Sequence, residues 1–194
     1  MLLDIVKYGH PVLRERGVKI KAITPEIKQL IADMFETMYH SKGVGLAAQQ
    51  VAVAQQLTVI DVRGIEERPS TLELDGKPAD VEAFMPLVLI NPKVTPVGEP
   101  VAGPEGCLSF PEIFAEIRRA PNVEVRALNE RGEPISFRAG GLLARAVQHE
   151  VDHLNGVLFI DKMNATDKAE LRGEIDDLHT ATKKKLAKKG GVAG

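Results

Sequence analysis

The chain has no tryptophan, and aromatic residues make up only 4% of its 194 positions, so its core is expected to be aliphatic. There is a single cysteine, Cys107, which excludes an internal disulfide. Thiols stay reduced in the cytoplasm, and that is the expected location. No apolar run approaches the ~20 residues of a membrane span, so no membrane partner is expected. The opening "MLLDIVKYGHP" carries charge at once and lacks the apolar stretch of a signal peptide. Internal repeats are absent. So are the G-x-G-x-x-G spacing of a dinucleotide loop and the Gly-Lys-Ser ending of a phosphate loop.

What is present describes one soluble domain with a tail. Hydrophobic residues are 44% and charged residues 27% of the chain. Net charge is -2, but the last fourteen residues, "ATKKKLAKKGGVAG", hold five lysines and no acid. The rest therefore has 20 basic against 27 acidic residues, a net -7. An acidic body with a basic end can mark contact with a polyanion, and it can equally be a solvated, frayed terminus.

"TPEIKQLIADMFETMYHSKG" predicts a helix. Thr24 caps it, Pro25 suits its first position and Gly43 ends it. Ile27, Leu30, Ile31, Met34, Phe35 and Met38 form one buried stripe. Strands are expected at 57–62, 87–94, 113–120, 122–129 and 134–139, with a hairpin turn at "NERGE". Residues 64–86, polar and broken by Pro and Gly, predict a long surface excursion that can hold a short hairpin. "GGLLARAVQHEVDHLNG" predicts a second helix and "VLFI" a short strand. From about Ala165 an amphipathic helix carries Leu171, Ile175 and Leu178 on one face. The order predicts an α+β fold, with mainly antiparallel sheets around a central helix and an amphipathic helix at the C-terminus.

That central helix contains "QHEVDH". His149 and His153 are four residues apart, so both imidazoles lie on one helical face, and Glu150 follows the first. This is a two-pronged clamp for a transition metal with a carboxylate beside it. A catalytic site takes three protein ligands and leaves one position for water. Downstream, Glu170, Glu174 or His179 could complete it, as in a metalloprotease of the thermolysin kind, but these residues sit on a polar helix full of neighbouring charges, and a solvated helix face accounts for them without any metal. Upstream stands Cys107, in the constrained loop "GPEGCLSFPE" before a strand. It follows Pro-Glu-Gly rather than sitting in the apolar run typical of a buried structural cysteine, and a thiolate is a soft ligand for iron or zinc. A third stretch, "GVGLAAQQ" (43–50), has glycines that admit a close backbone approach and ends on the amide of Gln50.

Together, "GVGLAAQQ", "EGCLS" and "QHEVDH" resemble, in order, the three signature motifs of the peptide deformylases. The likeness runs from about Asp4 to Met163 and includes "HPVLRERG", "VID", "LINP" and "GVLFID". It implies a catalytic domain over 1–164 and a C-terminal helix with a lysine-rich tail over 165–194. The activity it implies is hydrolysis of the formyl group from the N-terminal formylmethionine of nascent polypeptides, with release of formate. Cys107, His149 and His153 would be the metal ligands, Glu150 the general base and acid, and Gln50 and the Leu108 N–H the oxyanion donors. Val44 and Gly45 would hold the substrate backbone. The resemblance implies one divalent ion, Fe2+ in the cell, with Zn2+, Ni2+ or Co2+ able to substitute.

The methionine side chain needs an apolar slot. Val44, Leu142 and Ala146 are candidates, although a core helix face and a pocket wall look alike in sequence. The lysine tail suggests a contact with the ribosome, whose surface is largely RNA. Three features depart from the family. Phe110 stands where an aliphatic residue is commoner, Phe114 stands where some members carry a substrate-facing arginine, and the excursion near 64–86 is longer than in compact members.

Overall fold

A computed structural model describes residues 1–191. The chain opens with a 3-10 turn, Pro11–Arg14, and then helix α1, Pro25–His40. Strands β1 (Gly45–Ala47), β2 (Leu57–Ile60), β3 (Ser70–Leu74), β4 (Lys77–Pro78) and β5 (Leu87–Val97) follow, with a one-turn helix α2 (Val81–Phe84) before β5. Next come β6 (Val101–Cys107), β7 (Phe110–Arg119), β8 (Asn122–Leu128) and β9 (Pro134–Gly140). Helix α3 (Gly141–Leu154), a 3-10 turn (Phe159–Lys162) and helix α4 (Ala165–Gly191) complete it. All strand pairs are antiparallel: one seven-stranded sheet in the order β1-β2-β5-β8-β9-β3-β4, and a separate β6–β7 pair. The fold is α+β, as the sequence predicts.

The large sheet is covered on both faces. Alternate residues of a strand face opposite ways. Val88 and Ile90 pack with α1 residues Ile27, Ile31, Met34 and Met38, while Leu87 and Leu89 pack with Leu142, Leu143 and Val147 of α3. That double burial is why "LVLI" is continuously apolar instead of alternating. A third cluster joins β7, the 3-10 turn and α4, through Ile113, Ile117, Phe159 and Ile175. It is less purely aliphatic than the composition suggests. Phe110 stacks on Tyr8 at 4.9 Å and meets Phe159 edge-on at 5.1 Å, so its ring fills the core under the cleft described below.

Several expected features differ. "VLFI" is not a strand. Leu158, Phe159 and Ile160 are buried one after another, so they lack a solvent-facing alternation, and Asp161 accepts the Leu158 N–H to close a 3-10 turn. Cys107 does not lie in a loop but ends β6, a strand whose Gly and Pro content hides it and whose edge position tolerates Pro104. The lysine-rich end is not frayed before Gly191: α4 continues through Lys183 to Lys189, and 192–194 lie outside the described residues.

The 64–86 excursion is more than a surface loop. Asp75 and Gly76, both at positive φ, turn β3 into β4, and β3 adds to the sheet beside β9. It also caps α3, whose own N-cap residue, Gly140, has no side chain to do so. The Pro69 carbonyl accepts the Leu142 N–H at 3.1 Å, and the Ser70 hydroxyl accepts the Leu143 N–H at 2.9 Å. Two of the four orphan donors of a helix start are thereby satisfied. Gly141, at φ +65°, permits the approach, since a Cβ there would collide with the Pro69 carbonyl.

Candidate active site

The end of β6 meets the middle of α3. One donor atom from each of Cys107, His149 and His153 lies within 4.8 Å of the others, and among the described residues this is the one such group of three or more. Cys107 Sγ is 3.3 Å from His153 Nε2. Glu170 and Glu174 lie exposed on α4, and His179 packs against the Tyr8 ring, so the downstream ligands are not brought to the clamp.

His149 is held in one orientation by a carboxylate. Glu105 lies two residues before Cys107 and reaches His149 Nδ1 at 2.8 Å. A carboxylate only accepts, so Nδ1 carries the proton and Nε2 is left as the ligand atom. Glu105 is itself held by Arg119 through two bonds, of 2.8 and 2.9 Å, and by Arg145 at 2.8 Å. Arg119 also pairs with Asp152 at 2.6 Å. Burial opposes ionisation of Glu105, but the bonds from Arg119 and His149 outweigh it and hold the carboxyl well below the usual range. Sequence reading missed this network. Its one legible trace is the i, i+2 spacing of Glu105 and Cys107, which places both on one side of a strand.

Glu150 is buried, and burial raises its carboxyl to about 7. Its Oε2 has no hydrogen-bond partner in the protein, and neither has His153 Nδ1. A buried carboxylate oxygen without a donor, one residue from a ligand, fits a centre that supplies a cation and water. The soft thiolate and two imidazoles suit iron, zinc, nickel or cobalt and ill suit calcium or magnesium.

Gln50 turns its amide to the same point. Its Oε1 accepts the Ala47 N–H at 2.9 Å, which fixes the flip, so Nε2 faces Ser109 Oγ at 3.2 Å and Cys107 Sγ at 3.5 Å. The N-terminal segment braces this side. The Val6 N–H bonds the Gln50 carbonyl, the Tyr8 N–H bonds the Ser109 carbonyl, and Lys7 Nζ donates to the Leu108 carbonyl at 3.2 Å. Gly45 lies against Glu150: a Cβ at this position would stand 2.6 Å from Oε1.

These groups open into a cleft of about 510 Å³. Val44, Gly45 and Leu142 line it, as does Leu108. Leu142 is both core and wall, since it packs in the first cluster and also faces the cleft. Phe114, 69% exposed, sits at the rim over Gly106.

Three converging donor side chains that could hold a metal ion, a carboxylate beside one of them and an amide donor in an apolar cleft fit the site of a metal-dependent hydrolase. The comparisons with known proteins narrow the class. The polypeptide deformylase family model matches residues 2–169. A peptide deformylase of Methylacidiphilum infernorum is 45% identical over 92% of this chain and 93% of its own length. That of Opitutus terrae is 43% identical, over 94% and 96%. Among solved structures, the peptide deformylase 1B of Arabidopsis thaliana superposes with a TM-score of 0.81 at 34% identity, covering 95% of this chain and 94% of that one. The Synechococcus elongatus peptide deformylase, in complex with actinonin, gives 0.75 at 39% identity, over 89% and 85%. The chain belongs to the polypeptide deformylase family, and with it to the metal-dependent hydrolases.

Proposed function

We propose that this protein hydrolyses the formyl group from the N-terminal formylmethionine of nascent polypeptides. Cys107, His149 and His153 would hold one divalent ion, Fe2+ in the cell, replaceable by Zn2+, Ni2+ or Co2+. When bound, such an ion would supply a water of near-neutral pKa and Lewis acidity for the formyl group. Glu150 accepts a proton at its unpartnered Oε2 as water attacks the formyl carbon, then delivers it to the leaving amine, and formate departs. Gln50 Nε2 and the Leu108 N–H donate to the developing oxyanion, each such donor typically contributing ~3 kcal/mol. Val44 and Gly45, at the free edge of β1, hold the peptide backbone, while Val44, Leu142 and Ala146 receive the methionine side chain.

The observation that carries this reading is the amide of Gln50. Its flip is fixed by the Ala47 N–H, and its donor points at the thiol of Cys107. A metalloprotease with a downstream ligand leaves that arrangement unused. Formate release from formyl-Met-Ala is the test. The wild type should turn the peptide over, and Glu150→Gln should keep its metal while losing orders of magnitude in rate. A wild-type protein that is metal-loaded and silent on this peptide would sink the proposal.

We also assign residues 1–164 to the catalytic domain, because every proposed site residue lies there, and 165–194 to an appended helix and tail. The helix is docked: Ile175 is buried in the third cluster, and Leu171 and Leu178 pack against it. A ribosome contact through the tail is supported by its five exposed lysines. Such attachment falls steeply with salt. Removing 181–194 should weaken co-sedimentation with ribosomes at low salt, and identical binding curves would end the idea. We place the protein in the cytoplasm, in keeping with its single free cysteine and with the fact that no helix among the described residues is long and apolar enough to cross a membrane.

A further inference from the structure

Away from the reacting centre, the walls of the cleft carry an unbalanced charge. Lys7, Lys42 and Arg68 all line it. Among the described residues none of the three makes an ion pair. Arg145, the fourth cation on the wall, is paired with Glu105. Of the acids facing the cleft, Glu105 is neutralised by two arginines and Glu150 belongs to the reacting centre, which leaves Glu112 alone against three cations.

Two of these cations flank the path a peptide must take. Arg68, from the excursion, donates to the Pro104 carbonyl at 3.1 Å, three residues before Cys107 on β6. Lys42 is three residues before Gly45, which abuts Glu150. Along β6, at ~3.3 Å per residue, Pro104 stands roughly 10 Å from Cys107, and Lys42, in the turn after α1 at positive φ, is separated from Gly45 by at most about that distance. An extended peptide with its formyl carbon at the reacting centre brings its second and third side chains within this distance.

We infer that the cleft mouth selects formyl-methionyl peptides with acidic side chains at the second and third positions and discriminates against basic ones. This rests on the deformylase reading above. It gives residues 64–86 a second task beyond capping α3, which is to carry Arg68 to the cleft. The interaction is between partly solvated charges, so each pair contributes modestly and is weakened by salt.

The test compares kcat/KM for C-terminally amidated formyl-Met-Ala-Ala, formyl-Met-Glu-Glu and formyl-Met-Lys-Lys, using the metal-loaded full chain. At low salt the acidic peptide should exceed the basic one by about 10-fold, and the ratio should shrink toward one near ~0.5 M salt. Lys42→Glu should reduce the ratio, and Lys42→Glu with Arg68→Glu should invert it. Equal values for the acidic and basic peptides, with the neutral peptide turned over normally, would overturn the inference and leave the deformylase reading intact. A wild-type ratio retained in both variants would overturn it as well. No formate from any of the three peptides would instead refute the reading beneath it.

Discussion

Replacing Gly45 with alanine should cripple catalysis without dislodging the metal. The new methyl carbon would lie 2.6 Å from Glu150 Oε1 and 2.8 Å from its Cγ. Ordinary contact is ~3.5 Å or more, so the overlap is close to an ångström. Glu150 is 5% exposed and has little room to yield in place. Overpacking of this kind costs about 1–3 kcal/mol if nothing moves, and rotation of the carboxylate relieves it. A misplacement of ~1 Å at a reacting group lowers the rate by about 10²-fold. The three atoms nearest the added methyl all belong to Glu150 and none to Cys107, His149 or His153, so one ion per chain should remain. The assay is steady-state formate release with metal content measured in parallel. Glu150→Asp, which shortens the carboxylate, removes part of the overlap, so the double variant should lose less than the product of the two single losses. Turnover by Gly45→Ala within about threefold of wild type would refute the argument, the expected loss being ~10²-fold.

Cys107→Ser should reduce iron-dependent activity by more than the ~10²-fold that loss of an outer partner of a ligand costs, and near-normal turnover with stoichiometric metal would remove Cys107 from the ligand set. In air the iron form should decay faster than the nickel form, because ferrous iron beside an accessible thiolate is exposed to oxidation; equal half-lives would count against that pairing. Asp61 is held below its ordinary pKa of 3.8: burial pushes it up, but bonds from Arg63 and Tyr39 outweigh burial. Its contribution to stability is therefore complete above that pH and is lost as pH falls through the lower folded value. Asp61→Asn should be less stable than wild type by about 1–3 kcal/mol at neutral pH, and the gap should close in acid. An unchanged gap in acid denaturation curves would contradict the assignment.

The parts of the fold that announce themselves in sequence are those with a local reason. Thr24 accepts the Ile27 N–H, as its cap position predicts. The hairpin at "NERGE" closes β8 onto β9 with positive φ at Gly132. The His-x-x-x-His clamp needs only one helix to form, so its geometry was legible before the third ligand could be placed. β1 and β6 were not legible. β1 is three residues long, and β6 reads as loop because Gly103, Pro104 and Gly106 interrupt it. The Glu105–Arg119–Asp152 network is scattered across 48 positions of sequence, and no local pattern marks two of its members as buried. The capping of α3 by Pro69 and Ser70 was equally hidden, because the partners lie 73 residues apart and meet only through sheet pairing.

Cys107 belongs to the small β6–β7 sheet, whereas His149 and His153 belong to a helix packed on the large one. One ion gripped by all three would work as a rivet between two cores, closing a loop of roughly 40 residues as a disulfide does, but reversibly and without oxidation. The seam it fastens is also the substrate track, since Gly45 comes from the large sheet and Phe114 from the small one. Metal occupancy would then be a term in the stability of the seam, growing with the logarithm of free ion concentration. Starved of metal, the enzyme would lose its chemistry and, at the same point, the fastening that keeps the two walls of its track in register.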